Sequence, residues 1–264
     1  MSRPLGQHFL QDMSILQQIT DTISAIYQQT QTTSILEIGP GQGALTKHIF
    51  TIPQHFHCIE KDTKMKPHLE SFLDPTQITR WDVLQTNEKR PQTSDDHMFG
   101  NRFSEVDKKL LIVGNLPYYI TSPILRLFFT NQQNKPAGGV FLIQKEVADK
   151  LVSTTHKKSY LRRLINNNFH ITYNFTVPPS AFNPPPKVTS AVISLSHKKQ
   201  TEITDQETRQ KTLDLIAPYS RKTLWRIIKI NEKQNITLQI PPSLHHKRLE
   251  ECTRDDMRSI VILN

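Results

Sequence analysis

The chain has 264 residues and a mass of 30.5 kDa, enough for one large α/β domain with a small appendage and too much for a disulfide-stapled miniprotein. Its 36% hydrophobic and 22% charged residues are near globular proportions. No stretch approaches the roughly 20 apolar residues of a membrane helix, and residues 2–8 lack the apolar run of a signal peptide, so a soluble, cytoplasmic protein is expected. The two cysteines, Cys58 and Cys252, are far apart and in no metal-ligand spacing, so neither a disulfide framework nor a metal site is expected. The net charge of +9 is segregated: residues 1–144 carry 13 Lys and Arg against 13 Asp and Glu, whereas residues 145–264 carry 20 against 11. A one-sided excess of this kind points to a polyanion, nucleic acid first. Lys157, Lys158, Arg162, Arg163, Lys187, Arg221 and Lys222 are its candidate contacts.

In chain order, residues 12–27 carry apolar side chains at Ile15, Leu16, Ile19, Ile23 and Ile26, a helical stripe with Ser14 early in the run. Residues 34–38 form a short β-type run, followed by Gly39, Gly41 and Gly43 and then by a helix predicted over 44–50. Strand-like runs recur at 55–59, 78–81, 110–114 and 140–143, with helical stretches at 65–73 and 122–131. Such alternation predicts a parallel, doubly wound sheet with helices on both faces. Beyond Gln144 come helices at 146–152 and 160–167 and strands at 171–177 and 191–195. The prolines between those two strands, Pro178, Pro179, Pro184, Pro185 and Pro186, predict a stiff, extended, exposed loop. Past His197 the pattern turns helical, with Thr204 and Asp205 as cap candidates. The expected organisation is a catalytic or binding domain over 1–198 and a small all-helical domain over 202–264.

Glycines after a strand let a ligand approach the backbone, and a following helix start offers amide donors. The string Gly39-Pro-Gly-Gln-Gly-Ala44 fits several nucleotide fingerprints and by itself selects no cofactor. Glu60, at the end of the next strand, is placed to accept from two ribose hydroxyls, though it reads also as a neighbour of a helix cap. Asp82 repeats the pattern one strand on and suits an adenine amino group. Asn115-Leu116-Pro117-Tyr118 follows the apolar run 110–114 and so falls on the same rim. As a plain turn these residues need no further account. As chemistry, an amide oxygen and a backbone carbonyl can draw on the hydrogens of an exocyclic amine and free its lone pair. Pro117 would fix the loop, and Tyr118 would give an extruded base a face to stack on.

On these residues the sequence resembles the small-subunit rRNA adenine N6,N6-dimethyltransferases, enzymes with a Rossmann-like S-adenosylmethionine-binding sheet. The likeness runs through Leu5-Gly-Gln-His-Phe-Leu-Gln-Asp12, Glu37-Ile-Gly-Pro-Gly-Gln-Gly43, Asn115-Leu-Pro-Tyr-Tyr119, Gln144-Lys-Glu-Val147, Val177-Pro-Pro-Ser-Ala-Phe182 and Pro185-Pro-Lys-Val-Thr-Ser-Ala-Val192. The resemblance implies methyl transfer from S-adenosylmethionine to N6 of two adjacent adenosines near the 3′ end of small-subunit rRNA, during ribosome biogenesis. It implies the methionine end of the cofactor beside Gly39 and Gly41, the ribose on Glu60, and the adenine near Lys61 and Asp82. Gln7 and Leu10 would close the pocket, with His8 and Asn115 also beside the cofactor, and Phe182 would face Tyr118 across the target adenine. The implied partner is small-subunit rRNA or an immature small subunit, met by a monomer without metal or membrane.

The chain departs from the family at three places. His8 stands where Asn is usual, Leu161 follows Tyr160 where Gly is frequent, and Trp225 in the run Ser220-Arg-Lys-Thr-Leu-Trp225 replaces a polar residue and is assigned to the core. Other readings share part of the pattern. An NAD-type dehydrogenase explains the glycines and Glu60 but leaves Asn115, Tyr118 and the basic half without a role. A large-subunit rRNA or DNA adenine methyltransferase shares cofactor and motif. A ribosome-assembly or transcription-associated binding protein with secondary catalysis is the third.

Overall fold

Helix α1 (Met13–Gln29) starts where a side chain can satisfy its free amides: Asp12 Oδ1 accepts from the backbone of Ser14 at 2.9 Å and of Ile15 at 3.2 Å. Its buried stripe is the predicted Ile15, Leu16, Ile19, Ile23 and Ile26. The computed structural model describes residues 8–85, 109–130, 136–153, 160–198, 212, 215–216, 219, 221–253, 256–257 and 259–263. None of the described helices is long and apolar enough to cross a membrane.

The chain runs from β1 (Phe9–Leu10) through α1 into β2 (Ser34–Ile38), α2 (Thr46–Ile49), β3 (His55–Glu60), α3 (Lys66–Glu70) and β4 (Ile78–Arg80). It continues through β5 (Leu110–Asn115), α4 (Thr121–Phe129), β6 (Gly138–Gln144), α5 (Lys145–Val152) and α6 (Tyr160–Asn166). Then come β7 (Phe169–Val177), β8 (Phe182–Asn183) and β9 (Ser190–His197). Seven of these strands form one sheet in the order β4-β3-β2-β5-β6-β9-β7. The first five are parallel, but β9 is antiparallel to both β6 and β7. The expectation of a wholly parallel sheet is corrected there. No crossover helix links β7 to β9, and a chain that turns back without one pairs antiparallel.

Alternation along the central strands divides the core. Leu111, Val113, Val140 and Leu142 pack with the α1 stripe. The intervening Ile112, Phe141 and Ile143 are equally buried and point to the other face. There Phe129 of α4 meets Phe141 and Phe169 edge-on, with ring centroids 5.6 and 5.1 Å apart. Burial on both faces explains why β5 and β6 read as nearly continuous apolar runs.

The proline segment is less extended than the sequence suggested. Pro179–Ala181 form a 3-10 turn, and β8 pairs antiparallel with β1, Leu10 opposite Phe182. The Ala181 carbonyl accepts from the Gln11 and Asp12 amides at 2.9 and 3.3 Å. Ala181, Phe182 and Pro186 are buried while the other prolines of 184–186 are exposed, because the apolar residues interleaved among the prolines draw the segment onto the core.

Contacts divide the chain into two compact units, residues 1–152 with 168–198, and residues 153–167 with 199–264. The expected break near 198–202 therefore differs by one element, since α6 groups with the second unit. Leu164 of α6 belongs to that unit's core beside Ile216, Leu224, Ile227 and Leu249, and Arg163 donates to the Leu249 carbonyl at 3.0 Å. The second unit holds α7 (Leu224–Glu232) and an antiparallel pair, β10 (Thr237–Gln239) and β11 (Val261–Leu263). It is thus not all-helical: two three-residue strands are too short to show a period of two. Thr204 and Asp205 lie outside the described residues.

Candidate active site

The C-terminal ends of β2, β3 and β5 meet on one rim of the sheet. After β2, Gly39 and Gly41 take φ of +68° and +56°, conformations that side chains rarely adopt. A Cβ on Gly39 would meet nothing within 4 Å, and one on Gly41 would stand 3.2 Å from the Phe9 ring. The loop is therefore open at Gly39 and roofed by β1 at Gly41. The helix expected over 44–50 shrinks to α2, four residues starting at Thr46, so the helix-start argument for an anion site does not carry over. The Gly41 amide is already engaged, donating to Glu60 Oε2 at 3.0 Å, while Glu60 Oε1 accepts from the Asp62 amide at 2.7 Å. Glu60 thus ties the glycine loop to the end of β3. Burial raises its carboxyl above the usual range, against the opposing pull of the Asp62, Gly41 and Lys61 amides.

Lys61 Nζ and Asp82 Oδ2 form an ion pair at 2.8 Å. Partial burial works against the Asp82 charge, yet the Lys61 ammonium and the Leu84 amide hold its carboxyl below the usual range. On the neighbouring strand end, Asn115 Nδ2 donates to the His8 carbonyl at 3.3 Å, which turns Oδ1 into the free acceptor of that amide. The Leu116 amide donates to the Leu142 carbonyl, and the Pro117 carbonyl accepts from the Ile120 amide, fixing the loop from both sides. The Tyr118 hydroxyl shares a hydrogen bond with Ser190 Oγ at 2.7 Å, and burial raises its phenol while that bond opposes the shift. His8 stacks beside Tyr118, centroids 6.1 Å apart and planes 25° apart, and its Nδ1–H donates to the Pro184 carbonyl at 2.7 Å.

These groups line one cavity of about 270 Å³. Of the residues singled out from sequence, His8, Leu10, Gly39, Gly41, Glu60, Lys61, Asp82, Asn115, Leu116, Pro117, Tyr118 and Phe182 all line it. Phe182 does so from the core side, buried in the apolar cluster rather than standing free. Gln7, Lys157 and Lys158 lie outside the described residues. Lys187, Arg221 and Lys222 are exposed and are not among the residues that line the cavity, and Arg163 spends a donor on the Leu249 carbonyl. Trp225, assigned to the core from sequence, is 54% exposed. It follows Leu224, which takes the inward position, so the indole falls on the outward side of α7.

Sequence reasoning passed over Glu37 as a site residue. It is 2% exposed, lines the cavity, and its Oε2 has no hydrogen-bond partner within the protein. Burial pushes its carboxyl up to about 8, with the Glu60 charge acting in the same direction. The neighbouring Thr46 hydroxyl opposes the shift without making a well-formed hydrogen bond. The signal was present: an acid in the middle of a fully buried apolar strand needs a reason.

With this geometry in place, comparison with known proteins is direct. Residues 2–262 match the family described as ribosomal RNA adenine dimethylase. A ribosomal RNA small subunit methyltransferase A from Listeria monocytogenes serotype 4b is 35% identical over 231 residues, covering 84% of this chain and 74% of the relative. One from Coxiella burnetii is 34% identical over 274 residues, covering 100% of this chain and 98% of the relative. Among solved structures, a dimethyladenosine transferase from Plasmodium falciparum aligns over 96% of this chain and 95% of its own with TM-score 0.63 and 22% identity. The 23S rRNA methyltransferase ErmE aligns over 92% and 96% with TM-score 0.57 and 19% identity. Both structures share the fold. From the match over nearly the whole sequence and the relatives that share a third of its residues, the chain belongs to the ribosomal RNA adenine dimethylase family of S-adenosylmethionine-dependent enzymes.

Proposed function

We propose that this chain methylates the exocyclic N6 of two adjacent adenosines near the 3′ end of small-subunit rRNA in an immature small ribosomal subunit, acting as a cytoplasmic monomer. The observation that carries the reading is the orientation of Asn115: its NH2 is held by the His8 carbonyl, so its oxygen is presented as acceptor beside Tyr118 on the cavity wall. The residues fit the cofactor. The cradle at Gly39 is open, Glu37 offers an unpartnered buried oxygen, and Glu60, Lys61 and Asp82 supply polar groups along an otherwise apolar lining. In this reading Gly39 and Gly41 flank the methionine end, Glu60 accepts from the ribose, and Lys61 and Asp82 border the adenine.

S-adenosylmethionine, when bound, supplies a methyl group activated for transfer. The protein must make N6 a nucleophile, because in a flat adenine its lone pair is delocalised into the ring. In the first transfer Asn115 Oδ1 and the Leu116 carbonyl each accept one N6 hydrogen, and in the second one of them accepts the single hydrogen left on the methylated amine, in both cases favouring the pyramidal amine, whose lone pair is free. An amide oxygen is too weak a base to keep the proton released from N6, so that proton passes on to solvent. Tyr118 gives the extruded base a stacking face held in place by Ser190, and Phe182 closes the apolar side.

The test is incubation with labelled cofactor and separately purified ribosomal subunits, then mapping of the modified nucleotides. Two neighbouring dimethylated adenosines in small-subunit rRNA are expected. Label in large-subunit rRNA would move the substrate to the runner-up reading, and subunit binding without label would favour an assembly factor.

A further inference from the structure

Trp225 is a large indole left 54% exposed at the start of α7. The inner face of that helix is filled by Leu224, Ile227 and Asn231, so the second unit's core does not need it. An uncovered indole loses the burial that normally stabilises such a residue. The chain around it is tied down on both sides. The Leu224 amide donates to the Lys247 carbonyl at 2.9 Å, the Trp225 amide to the His245 carbonyl at 3.1 Å, and the Leu249 amide to the Lys222 carbonyl at 3.3 Å. These bonds bring two segments into one corner of the second unit, and that corner is basic. Arg221, Lys222 and Arg226 are exposed on one segment and Arg248 on the other, with Lys222 Nζ 5.5 Å from the centre of the Tyr219 ring.

We propose that Trp225 and the cations around it form a second RNA contact, apart from the methyl-transfer cavity, at which an unpaired base stacks on the indole while Arg221, Lys222, Arg226 and Arg248 meet the flanking phosphates. Charge decides the occupant: the half of the chain that holds this corner carries 20 basic against 11 acidic residues, which suits a polyphosphate backbone and repels a basic peptide. An exposed indole in a corner rich in cations, where the exposed acid Glu251 accepts from the Arg248 amide, has the two elements that bind single strands with little sequence preference, since every base has a stacking face. A paired duplex keeps its bases stacked inside and offers phosphates, 2′-hydroxyls and base edges but no free stacking face. The inference rests on the proposed RNA substrate and adds where and how a second segment of that RNA is held.

The full-length protein contains two tryptophans, Trp81 and Trp225, so Trp81→Phe leaves emission that reports this corner alone. Titration with a single-stranded oligoribonucleotide should quench that emission, and a fully paired duplex of the same sequence should leave it nearly unchanged, while filter retention follows binding itself. Trp225→Ala should weaken single-strand affinity about ten-fold and Trp225→Phe should restore most of it, with thermal melting confirming that both variants fold. Retention without quenching, or undiminished affinity of Trp225→Ala, overturns the stacking role and leaves the substrate reading standing. Absence of single-strand retention at low salt overturns the second contact, while the substrate reading stands or falls on methyl transfer to purified subunits.

Discussion

Asn115 and Glu37 show how one side chain's partners set what it can do in this cavity. In the proposed mechanism Asn115, its NH2 held by the His8 carbonyl, would interact most strongly with N6 as the amine pyramidalises, so its removal should act on turnover more than on binding. Asn115→Ala is expected to lower kcat by two to three orders of magnitude, a loss of about 3–4 kcal/mol, with RNA and cofactor affinities nearly unchanged. Single-turnover methyl transfer with both substrates saturating checks this. If the motif were only a turn, stability would change by up to about 1 kcal/mol and the rate of the folded protein would stay at the wild-type level. Glu37 makes a different prediction. Its carboxyl is raised from 4.5 to about 8 in the folded protein, so folding favours the protonated form. Its contribution is complete below the unfolded value and is lost as pH rises toward and through about 8, because there the unfolded chain ionises freely and the folded one resists. Glu37→Gln, which mimics the neutral acid, should therefore lose less stability than the wild type between pH 5 and pH 8. Parallel denaturation midpoints for the two proteins would contradict this.

At the scale of elements, the short antiparallel pair β1–β8 matters beyond its two residues per strand. Leu10 and Phe182, opposite each other in its register, are both buried in the main core and both line the cavity. Phe182→Ala should lower stability by about 3–5 kcal/mol and loosen the roof over Gly41, so melting temperature and cofactor affinity should fall together; loss of neither would separate β8 from the site. This element also marks the limit of what the sequence disclosed. Residues 34–38 were bounded correctly because glycine follows them directly, and the rim residues could be aligned because each ends an apolar run. Strand direction leaves no trace in composition, so the antiparallel β9 went unrecognised, and β8 was masked by its prolines. The helix after the glycine loop was overextended because Ala44 and Leu45 have good helix propensity, while the backbone there serves the turn instead. Trp225 was misassigned for a related reason: hydrophobicity suggests burial, whereas only the position of Leu224 shows that the inward site is taken.

At the scale of the whole molecule, charge and chemistry are separated along the chain. The cavity is built entirely from residues 8–182, while the basic excess lies in residues 145–264. RNA affinity should therefore fall steeply with salt, as each neutralised phosphate gives up condensed counterions, whereas cofactor binding in the mixed, largely apolar cavity should change little. Measuring both affinities between about 50 and 200 mM salt tests the separation. Reversing the charges of Arg221 and Lys222 should flatten the RNA slope alone. A salt-insensitive RNA affinity, or an equal slope for the cofactor, would refute it.

The pairing of β1 with β8 sets a schedule for synthesis. The roof of the cavity comes from residues 8–10 and most of its support from residues 181–184, so a nascent chain that has emerged only as far as β6 has the glycine loop, Glu60 and Asn115 in hand but only the Asn115–His8 hydrogen bond to hold its own beginning over them. Such long-range closure is slow compared with local helix formation. An unfinished chain should therefore hold a methyl donor less well than the complete one, and ligand retention would then report that translation has passed the second half of the sheet.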